Sequence, residues 1–489
     1  MTIRKLYYGD NLEIMRRYID PHTIDLIYLD PPFNSNKVYN VIHREESGEQ
    51  SESQWMAFTD TWTWNIKTEE TYNKIMERGD ELTNTISGLE TLLGKSSMLA
   101  YLVMMAPRLS RMRRLLKSTG SIYLHCDQTA GAYIKILMDK IFGYDNCVNE
   151  IVWTYGLGAS NRKRGFLQKH DYIYFYSKGE YTFNMQRGEI TKQMEQKYCH
   201  NDDKGRYMIS YGKKYYLQGG KPLTDVWTDI PTIAATSSER LGYPTQKPEA
   251  LLERIIKSSS NEGDLILDPF CGCGTTIIAA ERLKRNWIGI DIGYPAISLV
   301  KDRLRENFPE LNNIEIIGEP KSVADASKLA RENPGHFQFW ALGLFGARPR
   351  DEKVGHDFGI DGKKFFKNPT TGKYEKIYFS VKAGEVLNPG FVRDLAGTVT
   401  RDNAAFGVLI TITQPTQGMY SDASKYGFYT VQDITAEGGS VKIPKIQLIT
   451  IQDYFDGKRI FLPYPSIKNM PKELDELDNS RNSNLDEYT

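Results

Sequence analysis

Leu265-Ile266-Leu267-Asp268-Pro269-Phe270-Cys271-Gly272-Cys273-Gly274-Thr275-Thr276 decides how the chain is read. A short apolar run meets a proline, then two glycines at alternate positions, then a helical pattern from Thr275 to Lys284. That order predicts a buried strand, a tight turn and a helix. Gly272 and Gly274 let the main chain approach a ligand where a Cβ would clash. The helix start offers unpaired N–H groups and positive potential, which suits a carboxylate-bearing ligand. Trp287 to Asp291 reads as the next strand, and its terminal acid falls roughly 20 residues on, where it can take ribose hydroxyls. Strand, glycine turn, helix and strand is the order required at a nucleotide site. The plain alternative is a tight turn with two convenient glycines, and the acid at the next strand end argues against it. Cys271 and Cys273 lack the further partners of a metal site and read as bystanders.

The alternation extends outward. Leu6-Tyr7-Tyr8 predicts a strand, Asn11–Tyr18 a helix, and Ile24–Asp30 a buried strand closed by Pro31-Pro32. Helices are expected over Ser97–Lys117, Ala130–Phe142 and Glu249–Lys257, and strands over Ser121–Cys126, Ile151–Tyr155 and His170–Tyr176. The polar, Trp- and Thr-rich residues from about 40 to 96 read as an inserted loop, and the pattern breaks again from Glu180 to Pro222. Together these predict an α/β fold with a parallel sheet. Residues 318–336 are charged and read as helical or as a linker, and a second α/β unit is expected over 337–465, with strands Lys376–Ala383 and Phe406–Thr413 around a helix Asp394–Arg401. Residues 466–489, rich in Asn, Asp, Glu and Ser, predict a disordered acidic tail.

Composition narrows the class of protein. Of 489 residues, 40% are hydrophobic and 25% charged, the balance of a globular chain. No apolar run approaches the roughly 20 residues of a membrane helix. Met1–Lys5 lacks the pattern of a secretory leader. Five cysteines without framework spacing point to a reducing compartment, the cytoplasm. Lys+Arg 62 balances Asp+Glu 62, so any nucleic-acid surface must be local.

Asp30-Pro31-Pro32-Phe33 is the second chemical signal. Two prolines fix a rigid turn beyond a strand end. The turn aims the Asp30 carboxylate and nearby carbonyls outward as acceptors, with Phe33 as a stacking plate. That suits a flipped base whose exocyclic amine donates hydrogen bonds. A Pro-terminated strand with a capping Asp is the plain alternative.

With this motif 238 residues before Asp268, the chain resembles the permuted, β-type amino-DNA methyltransferases, and in particular the modification subunits of type III restriction systems. The likeness covers roughly residues 1–310 and extends to Gly9-Asp10-Asn11, His125-Cys126-Asp127, His170-Asp171-Tyr172 and Tyr243-Pro244-Thr245-Gln246-Lys247-Pro248. It implies a Rossmann-like methyltransferase domain over 1–317 that uses S-adenosyl-L-methionine (SAM). Asp268, Phe270, Gly272, Gly274 and Thr275 then take the cofactor-loop role and Asp291 the ribose role. Asp10 takes the acidic position near the cofactor adenine, while Thr245 and Lys247 close over the methionine moiety. Asp30, Pro31, Pro32 and Phe33 take the catalytic role toward adenine N6 in double-stranded DNA. Cytosine-N4 is the nearest rival, and Asp at position 30 favours adenine on resemblance alone. Between the two motifs, where the family places target recognition (about 180–224), lie Lys204, Arg206, Lys213 and Lys214 among tyrosines, with Arg162, Lys163 and Arg164 in a second basic loop. Such segments can hold phosphates and stack on bases, or can be solvated loops. The clustered Arg108, Arg111, Arg113 and Arg114 read as a solvated or structural face.

Residues 337–460 resemble the Mrr-like branch of the PD-(D/E)xK nucleases through Gly359-Ile360-Asp361-Gly362, Ser380-Val381-Lys382, Val392-Arg393-Asp394-Leu395 and Gly407–Thr411. Asp361 and Lys382 are the candidate nuclease pair, with Mg2+ as cofactor if that site is active. Ser380 stands where the family usually carries Glu, Asp or Gln, and Gln338 stands in the first helix where an acid often sits. The resemblance therefore implies a weakly cleaving or non-cleaving fold, with a fused restriction–modification enzyme as the alternative. Possible partners are a second copy or a restriction subunit. A non-catalytic DNA-binding defence component and an RNA methyltransferase are the remaining readings.

Overall fold

The computed structural model describes residues 2–32, 38–41, 55–59, 64–155, 166–234, 237, 239–241, 243, 245–349, 360–368, 374–432 and 440–462. Phe33, Arg162, Lys163, Arg164 and the tail 466–489 lie outside the described residues.

A nine-stranded sheet organises the first two thirds of the chain. Its order is Val226–Trp227, Cys147–Thr154, His170–Ser177, Leu116–Cys126, Ile24–Leu29, Leu265–Asp268, Asn286–Asp291, Arg4–Tyr8 and Glu315–Ile317. All neighbours pair parallel except those of His170–Ser177, which runs antiparallel to both its neighbours. The expected parallel sheet is thus corrected to a mixed one: His170–Ser177 is the reversed strand, and antiparallel pairing needs no crossover helix.

Alternate residues of the central strands enter opposite cores. Leu26, Tyr28 and Ile266 pack with the helices Glu249–Ser259, Thr275–Arg282 and Tyr294–Asn307. Ile27, Leu29, Leu265 and Leu267 pack with Asn11–Arg17, Glu81–Leu93, Ser97–Leu115 and Gly131–Phe142. Both faces are dry, which is why these strands read as continuous apolar runs rather than as alternation.

Two stretches depart from expectation. The residues from about 40 to 96 are not one loop. Besides a short hairpin, Val38–Val41 with Trp55–Thr59, they form the helices Ile66–Met76 and Glu81–Leu93. Asn65 and an Asp80–Thr83 capping box start these helices, and Leu82, Ile86 and Leu89 bury one stripe at helical spacing. The irregular pattern after Glu180 resolves into a three-stranded antiparallel meander, His200–Asp202, Gly205–Ser210 and Lys213–Tyr216, outside the main sheet.

Residues 318–336 take the helical alternative. Val323–Glu332 is a helix capped by Ser322, and its Ala326 and Ala330 are buried. Pro334–Leu344 follows it directly. A second sheet then runs Arg348–Pro349, Gly362–Lys367, Tyr374–Lys382, Phe406–Thr411 and Ile446–Thr450, antiparallel at its first two junctions and parallel at the last two. The two sheets share a core on one side, while Val392, Leu395 and Leu409 form a smaller separate cluster on the other face of the second sheet. Tyr8, Trp287, Tyr294 and Val300 share one buried cluster with Phe337, Trp340, Phe379 and Phe406.

Candidate functional site

The main sheet brings the two chemical motifs together. Ile266 and Leu267 pair with Leu26 and Ile27, and Asp268 pairs with Gly289. Asp30, Asp268 and Asp291 therefore end three adjacent parallel strands, and by alternation all three project toward the same face. Ligands of open α/β sheets bind beyond such carboxyl ends.

The glycine turn is built against its own chain. Gly272 and Gly274 have φ of +48 and +78. A Cβ on Gly274 would stand 2.7 Å from Val300, and one on Gly272 3.3 Å from the Tyr243 ring. Both positions are thus held to glycine by backbone conformation and packing, without invoking a ligand. Asp291 accepts from Gly272 N at 2.9 Å through Oδ2 and from Gly293 N at 2.7 Å through Oδ1, which leaves each oxygen a further lone pair. Burial pushes its carboxyl up to about 6. Asp268 is buried, accepts from Phe270 N at 3.0 Å, and is pushed by burial up to about 7. Thr275 starts the helix, with its Oγ1 3.5 Å from Cys273 Sγ. Burial raises both cysteine thiols, so they stay protonated and unreactive.

On the neighbouring strand end, Asp30 Oδ2 receives Lys247 Nζ at 2.5 Å. Lys247, expected at the methionine moiety, here lies on the catalytic candidate. Thr245, two residues before, holds φ of +63, a rare conformation for a β-branched residue. Pro31 is buried behind the acid. Behind the strand a polar chain runs from Tyr28 Oη to His125 Nδ1 at 3.1 Å, from His125 Nε2 to Asp171 Oδ2 at 3.0 Å, and from Tyr155 Oη to Asp171 Oδ1 at 3.0 Å. Burial raises the Asp171 carboxyl, but the His125 contact, the Lys247 charge and Tyr155 outweigh it and hold it below its usual range. His125 and Asp171 were visible as motif residues, but their joining was not, because they sit on different strands.

Asp10 also differs in employment. Its Oδ1 caps the helix Asn11–Arg17 through Leu12 N and Glu13 N, and its Oδ2 takes Arg108 at 2.6 Å. Asn11, quoted within its motif but given no role there, is buried and ties Arg108 to the Pro269 carbonyl at 2.7 Å. Arg111 donates to the carbonyls of Met15 and Ile19, so these arginines are structural on their buried side.

In the meander, Lys204, Arg206, Lys213 and Lys214 are all exposed. Lys214 is engaged, bonding Asp202 at 2.7 Å over the Tyr207 ring, and Arg206 lies 3.8 Å from Glu195. In the second sheet, Asp361 Oδ1 accepts from Gln338 at 2.8 Å. Its Oδ2 accepts from Val381 N at 2.6 Å and Ser380 Oγ at 3.2 Å, with Lys382 Nζ at 3.7 Å. Among the described residues no group of three or more His, Cys, Asp or Glu could hold a metal ion.

A family model described as DNA methylase matches residues 24–302, which include both motifs. The chain belongs to the DNA methylase family. It is 35% identical to the type II methyltransferase M.HpaI of Haemophilus parainfluenzae over 205 residues, 41% of this chain and 59% of that protein. It is 28% identical to the type II methyltransferase M.BamHI of Bacillus amyloliquefaciens over 323 residues, 65% and 61% of the two chains. It is 25% identical to the type III StyLTI Mod subunit of Salmonella typhimurium over 403 residues, 67% and 57%. The chain thus spans less than two thirds of the length of these relatives. Among solved structures, the M1.HpyAVI–SAM complex aligns over 61% of this chain and 98% of its own at 18% identity and a TM-score of 0.35, a likeness too slight to argue from. Among the described residues no helix is long and apolar enough to cross a membrane.

Proposed function

We propose that the chain is a SAM-dependent DNA methyltransferase acting on the exocyclic amine of a flipped base in duplex DNA, adenine N6 in the first instance. One observation carries this reading: Asp30 and the Asp268–Gly274 turn, 238 residues apart in sequence, end adjacent parallel strands. The residues fit the cofactor: Gly272 and Gly274 leave the turn without side-chain bulk, and Asp291 keeps lone pairs for ribose hydroxyls. SAM, when bound, supplies an electrophilic methyl group.

The chain's own part is to prepare the nucleophile. An aromatic amine delocalises its lone pair into the ring and attacks poorly. Asp30 and the Pro31 carbonyl accept its two N–H bonds, which favours a pyramidal nitrogen with a localised pair. Adjacent strand ends would set the cofactor and the target amine side by side, so positioning would supply much of the acceleration. No covalent enzyme intermediate is required, in keeping with the raised thiols of Cys271 and Cys273. The names of its relatives support a place in a bacterial restriction–modification system, acting in the cytoplasm. A restriction subunit or a second copy are the partners to look for. Calorimetry with SAM, methyl transfer to mixed DNA and modification-aware sequencing test the reading together: no modified amine would refute it, and modified cytosine N4 would move it to the rival base.

For the second sheet we propose a nuclease-like fold, Mrr-like in pattern, that serves in DNA binding or assembly. Asp361 accepts from Gln338, from Val381 N and from Ser380 Oγ, and Gln338 faces it where an acid would be needed. One carboxylate and a lysine hold Mg2+ poorly. Mg2+-dependent cutting of unmethylated DNA, lost in Asp361→Ala, would overturn this.

A further inference from the structure

Lys247 reaches Asp30 across 217 residues of chain, with 10% and 15% of the two side chains exposed. The carboxylate that methyl transfer needs as an acceptor is therefore already engaged by an ammonium. Two features of Thr245 show that this contact is held rather than incidental. Thr245 keeps its left-handed backbone two residues away, a conformation that persists only where surroundings enforce it. Its carbonyl oxygen lies 3.4 Å from the same Nζ. The segment bearing Lys247 is thus pressed toward the strand end and under strain, on the side where the glycine turn lies: the Tyr243 ring covers Gly272.

We propose that Lys247 is a positioning residue that changes partner, from Asp30 in the empty site to the α-carboxylate of the cofactor's methionine moiety, and so frees Asp30 Oδ2 to receive the target amine. This deepens the methyltransferase reading and rests on it. An ammonium is a compact charge on a flexible stem, able to exchange one carboxylate partner for another. Asp30 and the cofactor compete for it, so each weakens the other's hold. A base arriving before the cofactor meets an acceptor that is already taken, and productive binding runs cofactor first. Competition of this kind lowers apparent cofactor affinity by the share of molecules in which the ammonium is engaged.

The test uses the full chain and two probes in calorimetry: S-adenosylhomocysteine, which carries the carboxylate, and 5′-methylthioadenosine, which lacks it. Asp30→Asn should tighten S-adenosylhomocysteine by about threefold or more, the scale of a released partly exposed ion pair, and leave methylthioadenosine unchanged. Lys247→Met should weaken S-adenosylhomocysteine by about tenfold, and in the double variant the gain from Asp30→Asn should vanish. Should Lys247→Met fail to fold, the two probes on Asp30→Asn decide alone. If wild type binds S-adenosylhomocysteine and Asp30→Asn binds it equally or more weakly, the pair is a fixed brace and the proposal falls. A wild-type chain that binds neither probe refutes the cofactor reading itself, and the proposal with it.

Discussion

At the scale of single residues, the site rests on three carboxylates with different tasks and different surroundings. In the proposed reaction Asp30 addresses the target amine. Asp30→Ala is expected to cut methyl transfer by on the order of 100-fold or more while cofactor affinity stays within a few fold, since the lost acceptor acts mainly in the transition state. Turnover near wild type would remove Asp30 from the chemistry. In the proposed site Asp291 accepts from ribose hydroxyls best when ionised, and burial pushes its carboxyl up to about 6. The sign follows directly. Between the ordinary carboxyl pKa of about 4 and this raised value, the folded state binds more protons than the unfolded one, so this group's penalty on stability is absent below the window and full above it. Cofactor binding goes the other way: affinity should fall by up to about tenfold from pH 7 to pH 5. Asp291→Asn should be weak and flat across that range. A wild-type affinity that does not change with pH would show that Asp291 does not bind the cofactor in its charged form.

At the scale of elements, local signals were legible where the environment is uniform. Ile24–Leu29, Leu265–Asp268 and Asn286–Asp291 are buried on both faces, so their apolar runs, stopped by proline or glycine, announced them. Ile66–Met76 and Glu81–Leu93 were missed because Thr, Glu and Asn on their wet faces hide a narrow buried stripe. The meander was missed because its strands are short and mostly wet on both faces. The Lys247–Asp30 and His125–Asp171 pairs depend on which strands become neighbours, which no local pattern carries. In the meander the structure also separates two adjacent lysines that sequence treated alike. Lys213 and Lys214 stand on successive positions of one strand, and only Lys214 is shown bonded to Asp202 and lying over Tyr207. If the meander contacts phosphates, Lys213→Ala should lower the salt dependence of DNA binding by up to about one unit of slope and leave the fold alone. Lys214→Ala should instead loosen the meander slightly, since an exposed pair contributes little. Equal salt slopes in wild type and Lys213→Ala would make the strand a bystander to DNA.

At the scale of the whole molecule, the boundary between the two sheets is not a hinge. Pro334–Leu344 packs on Tyr294–Asn307, the helix that follows Asp291, so closely that a Cβ on Gly343 would stand 2.3 Å from the Tyr294 ring. Tyr8 meets Tyr294 edge-on at 5.8 Å and donates to the His336 carbonyl at 3.4 Å. Phe337 and Trp340 are fully buried in the same cluster as Trp287 and Val300. The second unit therefore covers apolar surface directly behind the strands that carry Asp291 and Asp10. Apolar burial is worth roughly 25 cal/mol per Å2, and two aromatic side chains of this size bury on the order of 150–250 Å2 each, so uncovering them costs several kcal/mol before any other contact is counted. Such a loss is comparable to the whole margin of a typical domain. Truncation after Asn333 is thus expected to lower Tm by several degrees and to raise binding of an apolar dye, with weakened cofactor binding following from a loosened Tyr8–Asp10 strand end. Gly343→Leu in the full chain should reproduce the shift in Tm without removing any residue. The decisive measurement is calorimetric unfolding of all three proteins. One cooperative transition in the full chain, lost or shifted down in both variants, fits a shared core. Two independent transitions, the first unchanged by truncation, would mean that the methylase part stands alone and that the contact around Tyr294 adds nothing to it.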